Sequence, residues 1–260
     1  MCSRSLGSSA RSKLVGRRFE RLDWVEETAS TNSDLLSRAR RGEPDGAVLV
    51  AEHQTAGRGT KGRTWQDEPS AQLMISVLVR PEDRAPAHAG RLTMAWAVAT
   101  VEAVAALCPA RLGIKWPNDL VDPATDRKVA GVLAESVLSA RGVEAVVVGM
   151  GMNVNGGVPH ELAERAVALS ALAGGTVDRT ALAAGLLVRF EEVLRLGGAE
   201  LAEAYRRHSA TIGRAVRVEW ADRERSGDAV DVDDDGHLIV RFGEEQVSLA
   251  SGDVVHLRPA

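Results

Sequence analysis

Gln54-Thr55-Ala56-Gly57-Arg58-Gly59-Thr60-Lys61-Gly62-Arg63-Thr64-Trp65 places three glycines and three cations within seven residues. Such a loop is built to wrap an anion. Glycines let backbone N–H groups approach a phosphate closely, and arginine adds planar, charge-assisted hydrogen bonds. Gly57, Gly59 and Gly62 also satisfy a GxGxxG pattern. The residues that follow, Trp65-Gln66-Asp67-Glu68-Pro69, do not open an amphipathic helix, which rules out the dinucleotide fold. No G-x-x-x-x-G-K-[ST] occurs, so the P-loop is excluded too. Taken alone, the stretch also describes a mobile basic surface loop.

Working outward, strand-like runs alternate with helical ones from Phe19 to about His208. Runs rich in Val, Ile and Leu predict strands at Ala47 to Ala51, Gln72 to Val79, Arg111 to Trp116, Lys128 to Leu138 and Val143 to Asn153. Ser30-Thr31-Asn32-Ser33-Asp34 offers side-chain oxygens that cap a helix running to Arg41. Leu92, Ala95, Trp96, Ala99 and Ala103 recur at helical spacing, predicting a helix from His88 to Leu107 with Trp96 in the core, ended by Pro109. Two more helices, Asp178 to Leu196 and Ala199 to His208, close this unit.

After Ile212-Gly213 the texture changes to short strands at Ala215 to Glu219, Ser226 to Val232, His237 to Arg241, Gln246 to Leu249 and Asp253 to Leu257. The turns are Asp234-Asp235-Gly236 and Gly243-Glu244-Glu245. The acidic run Asp231, Asp233, Asp234, Asp235 lacks the ladder and terminal glutamate of a calcium loop and reads as a solvated hairpin turn. The expected organisation is a disordered Ser- and Arg-rich lead-in at 1–18, a larger α/β domain at 19–210 and a small barrel at 211–260.

Composition narrows the function classes. With 260 residues, 45% hydrophobic and 26% charged, the chain has the make-up of a globular protein with a sizeable core. A net charge of −4 argues against a general nucleic-acid binder, which needs a clustered basic surface. Cys2 and Cys108 stand too far apart for a metal or redox motif and read as reduced thiols, and the six histidines show no zinc-ligand spacing. No uninterrupted apolar run reaches about 18 residues, and Met1 to Arg18 lacks the apolar block of a signal peptide, which points to the cytoplasm.

The glycine loop has company. Lys115-Trp116-Pro117-Asn118-Asp119 follows one predicted strand and Lys128-Val129-Ala130-Gly131 begins the next. A hairpin there brings both lysines, Asp119 and the loop to one rim, with cations for phosphate and a carboxylate for Mg²⁺. Together with Ser30-Thr31-Asn32 and Gly149-Met150-Gly151-Met152-Asn153, these motifs resemble, in order, those of the biotin protein ligases, and the resemblance spans about Phe19 to Pro259.

That resemblance implies an α/β catalytic domain on a mixed sheet followed by an SH3-like barrel. It implies two steps with ATP and biotin as substrates and Mg²⁺ as the metal: formation of biotinyl-5′-AMP, then transfer to a lysine of a biotin carboxyl carrier domain. By the same resemblance, Ser30, Thr31, Asn32 and Gln54 line the ureido pocket, and Gly57, Arg58, Gly59 and Thr60 belong to the biotin and adenylate loop. Lys128 grips the reacting carboxylate and phosphate. Lys115, Asn118 and Asp119 form the nucleotide side, with Asp119 toward the metal, and Gly131, Gly149 and Asn153 line the pocket. Lys128, Arg58 and Lys115 are the expected catalytic cations. Thr60 departs from the family's Gly-Arg-Gly-Arg and carries no charge where arginine is usual.

Three alternatives bear on this expectation. A lipoate ligase or octanoyl transferase shares the implied fold, but the polar Ser-Thr-Asn and Gln cluster suits a ureido head better than an alkyl tail. Cys108 as an acyl-transfer nucleophile lacks a neighbouring base. A repressor with a helix-turn-helix has no room in 18 residues, so no specific DNA binding is expected, and a non-catalytic biotin-binding module remains the other reading. The sequence does not distinguish monomer from homodimer.

Overall fold

The computed structural model describes residues 3–66, 68–82, 85, 88–220 and 223–257. Its first half holds α1 (Ser3–Ser12), β1 (Leu22–Thr28), α2 (Thr31–Arg40), β2 (Val48–Gln54), β3 (Gln72–Val79) and α3 (His88–Leu107). There follow β4 (Gly113–Lys115), β5 (Asp119–Val121), β6 (Lys128–Ser139) and β7 (Gly142–Asn153), then α4 (Leu169–Ala173), α5 (Arg179–Val193) and α6 (Gly198–His208). Last come β8 (Ala215–Trp220), β9 (Arg223–Val232), β10 (Leu238–Phe242), β11 (Glu245–Leu249) and β12 (Asp253–His256).

The first seven strands form one mixed sheet in the order β1-β2-β3-β7-β6-β5-β4. β1 and β2 are parallel and joined through α2, and every other pair is antiparallel. β3 is buried along its whole length, which explains its continuous Leu-Met-Ile and Val-Leu-Val runs. On one face Leu35, Leu36 and Ala39 of α2 cover Leu49, Leu78 and Val147. On the other, α3 and α5 supply the main core. Trp96 is fully buried, edge-on to Phe190 at 4.8 Å, and Phe190 stacks on Phe19 at 5.4 Å. By length and composition α3 would suffice to cross a membrane, but most of its apolar residues, from Leu92 to Val104, are buried inside the protein.

Local chemistry sets the helix starts. Ser30 caps α2 by accepting from Ser33 N, and Asp178 caps α5 by accepting from Thr180 N at 2.8 Å and Ala181 N at 3.0 Å. The last five strands form an antiparallel sheet in the order β11-β10-β9-β8-β12. This is the small SH3-like unit, and its Val216, Val218 and Leu238 join the same hydrophobic cluster as α3.

Four expectations need correction. Residues 3–12 are helical rather than disordered, and the segment is anchored by Ala10 of the helix and Leu14 just beyond it, both fully buried against the body of the protein. The Ser and Arg content conceals that short apolar stripe, and Met1 and Cys2 lie outside the described residues. β1 escaped notice because only alternate residues are buried and its acids face outward. β5 and α4 are too short to leave a periodic signal. Finally, the acidic turn is not merely solvated: Asp234 and Asp235 are exposed, but Gly236 O accepts from Trp116 Nε1 at 2.9 Å, docking the turn on the larger domain.

Candidate active site

At the tip of β2 the chain enters the glycine loop, which closes on itself. Trp65 N donates to Gly57 O at 3.0 Å, Gly59 N donates to Arg63 O at 2.7 Å, and Arg58 bridges Thr64. A Cβ on Gly57 would stand 2.6 Å from Trp65 O, so only glycine fits this neck. The far side of the loop is anchored by the barrel: Lys61 Nζ lies 2.7 Å and an Arg63 nitrogen 3.4 Å from Asp253.

Beneath the loop lies a recess of about 20 Å³ lined by Ser30, Thr31, Asn32, Gln54, Arg58, Gly131 and Gly149. Its polar groups satisfy one another. Thr31 donates through N and Oγ1 to Gln54 Oε1 at 2.8 and 3.0 Å, and Asn32 Nδ2 donates to Leu133 O and Glu135 Oε2, both at 3.1 Å. Ser76 Oγ sits 2.7 Å from Thr31 Oγ1 and 2.6 Å from Asn32 Oδ1. A hydroxyl has one proton to give, so Ser76 chooses between these acceptors and the network has spare capacity for a ligand donor. A Cβ on Gly149 would overlap Asn32 Oδ1.

Two larger spaces lie beyond, the first of them adjoining the recess at Arg58, Trp65 and Gly131. One, of about 390 Å³, is lined by Arg58, Gly59, Thr60, Trp65, Asn118, Lys128, Gly131, Asn153 and Arg165, among others. The other, of about 310 Å³, holds Lys115, Asn118, Asp119 and Lys128 with Glu219 and Asp253 of the barrel. Thr60, Arg63, Asn118 and Lys128 border both, so the two run together. The expected hairpin is real: Lys115 pairs with Asp119 across β4 and β5, and Asp119 pairs with Gly131 across β5 and β6. Asn118 Nδ2 donates to Val132 O at 2.8 Å, pinning the Pro117 turn to β6.

Every expected site residue therefore meets at this rim; all line the three spaces except Gly57, which closes the loop neck. Cations here are mostly spoken for. Lys128 Nζ is 2.6 Å from Asp119 Oδ1, and Arg58 grips both oxygens of Glu135 at 2.8 and 3.2 Å. Trp65 lies over Gly131 and Gly151, so close to Gly151 that a Cβ would overlap the indole, and its Nε1 donates to Gln72 Oε1 at 2.8 Å. Lys128 Nζ stands 5.7 Å from the same ring. Sequence reasoning missed Ser76, Glu135 and Gln72, each inside a strand whose apolar run carried the only visible signal. Arg165 was also missed; its carbonyl accepts from Lys128 N at 2.7 Å. Cys108 turns its thiol back toward Val104 O at 3.6 Å.

A polar recess opens into a cation-lined cavity, a geometry suited to an uncharged polar head beside an anion. The comparisons with known proteins agree. The biotin/lipoate A/B protein ligase family matches residues 24–153, and the biotin protein ligase C terminal domain matches residues 211–257. The biotin--[acetyl-CoA-carboxylase] ligase of Mycobacterium tuberculosis is 42% identical, over 96% of this chain and 95% of that protein. The bifunctional ligase/repressor BirA of Escherichia coli is 32% identical, over 81% of this chain and 66% of that protein. Biotin protein ligase from Aquifex aeolicus, solved in complex with biotin and ATP, superposes with a TM-score of 0.78 at 27% identity, covering 93% of this chain and 100% of that one. The chain belongs to the biotin/lipoate A/B protein ligase family, as one of its biotin protein ligases.

Proposed function

We propose that this protein is a cytoplasmic enzyme that activates biotin with ATP to biotinyl-5′-AMP, releasing pyrophosphate. It then passes the biotinyl group to a lysine of the biotin carboxyl carrier domain of a carboxylase. The observation that carries the reading is the junction of the neutral polar recess with the cationic cavity at Arg58, Trp65 and Gly131, with Lys128 Nζ lying against Gly131 on the cavity side. Hydroxyls and amides match a ureido ring without the desolvation cost of a charge. An alkyl tail would leave Thr31, Asn32 and Gln54 facing no polar partner of its own, so the lipoate and octanoate alternatives find no support here.

Biotin's carboxylate and the α-phosphate are both anionic, so catalysis consists mainly of positioning and charge neutralisation. Lys128 stands beside the junction and neutralises the meeting oxygens once it leaves Asp119. Arg58 serves the same charge after release from Glu135, and Lys115 faces the nucleotide side. Trp65 must leave Gly151 or become a wall of the filled pocket. In the second step the carrier's uncharged lysine amine attacks the acyl carbon, the bond to the phosphate oxygen breaks and AMP departs.

Among the described residues no three His, Cys, Asp or Glu side chains stand together as a metal cage. Of the carboxylates on this cavity, Asp253 is held by Lys61 and Arg63, while Asp119, beside Asn118 at the Lys128 end, fits a Mg²⁺ that arrives on the nucleotide's phosphates and needs one carboxylate from the protein. Bound there, the ion would neutralise phosphate charge and favour pyrophosphate as a leaving group. Pyrophosphate release with Mg-ATP, compared across biotin, lipoate and octanoate and followed by a carrier domain, tests the assignment. Biotin-selective release and carrier labelling are expected; turnover with another acid instead, or with none, would refute it.

A further inference from the structure

Residues 209–211, leading from α6 into the barrel, run along the end of β4. Ser209 bridges Ile114, and Ala210 N donates to Ile114 O at 2.8 Å. At the next step a side chain takes over from the backbone: Trp116 N donates to Thr211 Oγ1 at 3.1 Å, and Thr211 is fully buried. With that lone pair occupied, the Thr211 proton points to His256 Nε2, 3.0 Å away on β12. The other ring nitrogen, Nδ1, lies 3.2 Å from Asp126 Oδ1, which only accepts. Arg214 Nη1 also lies 3.2 Å from Nδ1, but it gives its protons to Asp126, on which both nitrogens converge, and the Thr211 proton has Nε2 as its acceptor; these partners favour the neutral tautomer with its proton on Nδ1. Arg214 holds both Asp126 oxygens at 3.0 and 2.9 Å.

The geometry points to His256 as a positioning residue of the nucleotide site: through Thr211 it holds the Trp116 peptide, and thereby Lys115 and Asp119, facing Lys128. The His256 side chain is only 3% exposed, and no part of it lines the cavities, so it acts through Thr211 rather than on substrate. The inference rests on the ATP-dependent reading above. The charged groups around the ring are Lys115, Asp126 and Arg214. Burial and the Lys115 charge both hold its pKa below the ordinary imidazole value, which keeps the ring neutral and Thr211's proton directed at it. Protonation would turn Nε2 into a donor and reverse that bond.

The test compares His256→Asn, His256→Gln, Thr211→Val and the double variant His256→Asn/Thr211→Val. The readouts are KM for ATP and kcat in pyrophosphate release, and biotin binding without nucleotide. Asparagine keeps a donor for Asp126 but does not reach Thr211, so KM for ATP should rise roughly tenfold, the worth of one hydrogen bond, with biotin binding unchanged. Glutamine, whose amide oxygen reaches the Nε2 position, should restore the wild-type KM. Thr211→Val should raise KM similarly, and the double variant no further, since both act through one link. In the wild type KM for ATP should climb as pH falls below the ordinary imidazole range, and in His256→Gln that rise should vanish. Wild-type KM in Thr211→Val, or loss of ATP and biotin affinity together, would overturn the inference even if the Asn variant failed to fold. A wild-type protein without biotin-dependent pyrophosphate release would instead bring down the ligase reading beneath it.

Discussion

Lys128 pairs with Asp119 and lines the cavity beside Gly131, so in the proposed mechanism one side chain would serve two anions in turn. Replacing it with alanine should slow adenylation about 10²- to 10³-fold, the usual cost of one transition-state donor. Near-normal pyrophosphate release from Lys128→Ala would remove it from the mechanism. Thr60, on the opposite wall, adds no charge. Thr60→Arg should slow escape of biotinyl-5′-AMP from the purified enzyme, and an unchanged release rate would show that Arg63, Lys128 and Arg165 on the same walls already suffice.

For the element, the relevant unit is the loop from Arg58 to Trp65. Three contacts hold it down: Arg58 on Glu135, Lys61 and Arg63 on Asp253, and Trp65 on Gly151. The ion pairs are partly exposed and each is worth little, so the indole seat should dominate. Gly151→Ala would drive a methyl into the ring and lift the loop. Faster proteolytic cleavage near Arg58 to Trp65 is expected in that variant without ligands, and protection by biotin plus ATP in the wild type. Equal cleavage of the wild type with and without ligands would argue against an ordering lid.

Whole-molecule stability draws on buried charge as well as on the apolar core. Glu52 and Arg179 pair at 2.8 Å with side chains only 6% and 11% exposed, and Trp24 Nε1 donates to the same carboxylate at 2.6 Å. Burial pushes the Glu52 pKa up, but the hydrogen bonds from Arg179, Ser70 and Trp24 outweigh it and hold it below the ordinary value of 4.5. Arg179→Met should therefore cost about 3–5 kcal/mol in urea unfolding, since it strands a buried carboxylate. The sign for acid follows: the unfolded carboxyl takes up its proton at higher pH, so this stabilisation is present above 4.5 and is lost as pH falls through the lower folded value. His256 acts in the same direction at higher pH. Its folded pKa lies below the unfolded 6.5, so stability should begin to fall below about pH 6.5 and continue falling through the folded value. A melting curve for His256→Gln that lacks this first acid step would confirm the source.

The amino-acid sequence by itself determined the alternation of strands and helices, the position of α3, the change to short strands after residue 212 and most of the residues that line the joined spaces at the rim. Those features are local: periodicity, glycine loops and caps are written in neighbouring residues. It did not reveal α1, whose packing depends on surfaces far along the chain, or β1, an edge strand buried on one side only. Nor did it reveal that Ser76, Glu135 and Gln72 complete the pocket, that Asp253 reaches across from the barrel to the loop, or that His256 stands behind Trp116. Only the tertiary structure decided these. Apart from the Trp65–Gln72 bond, which spans a loop of seven positions, each depends on residues tens to nearly two hundred positions apart in the chain, and such contacts leave no spacing to read.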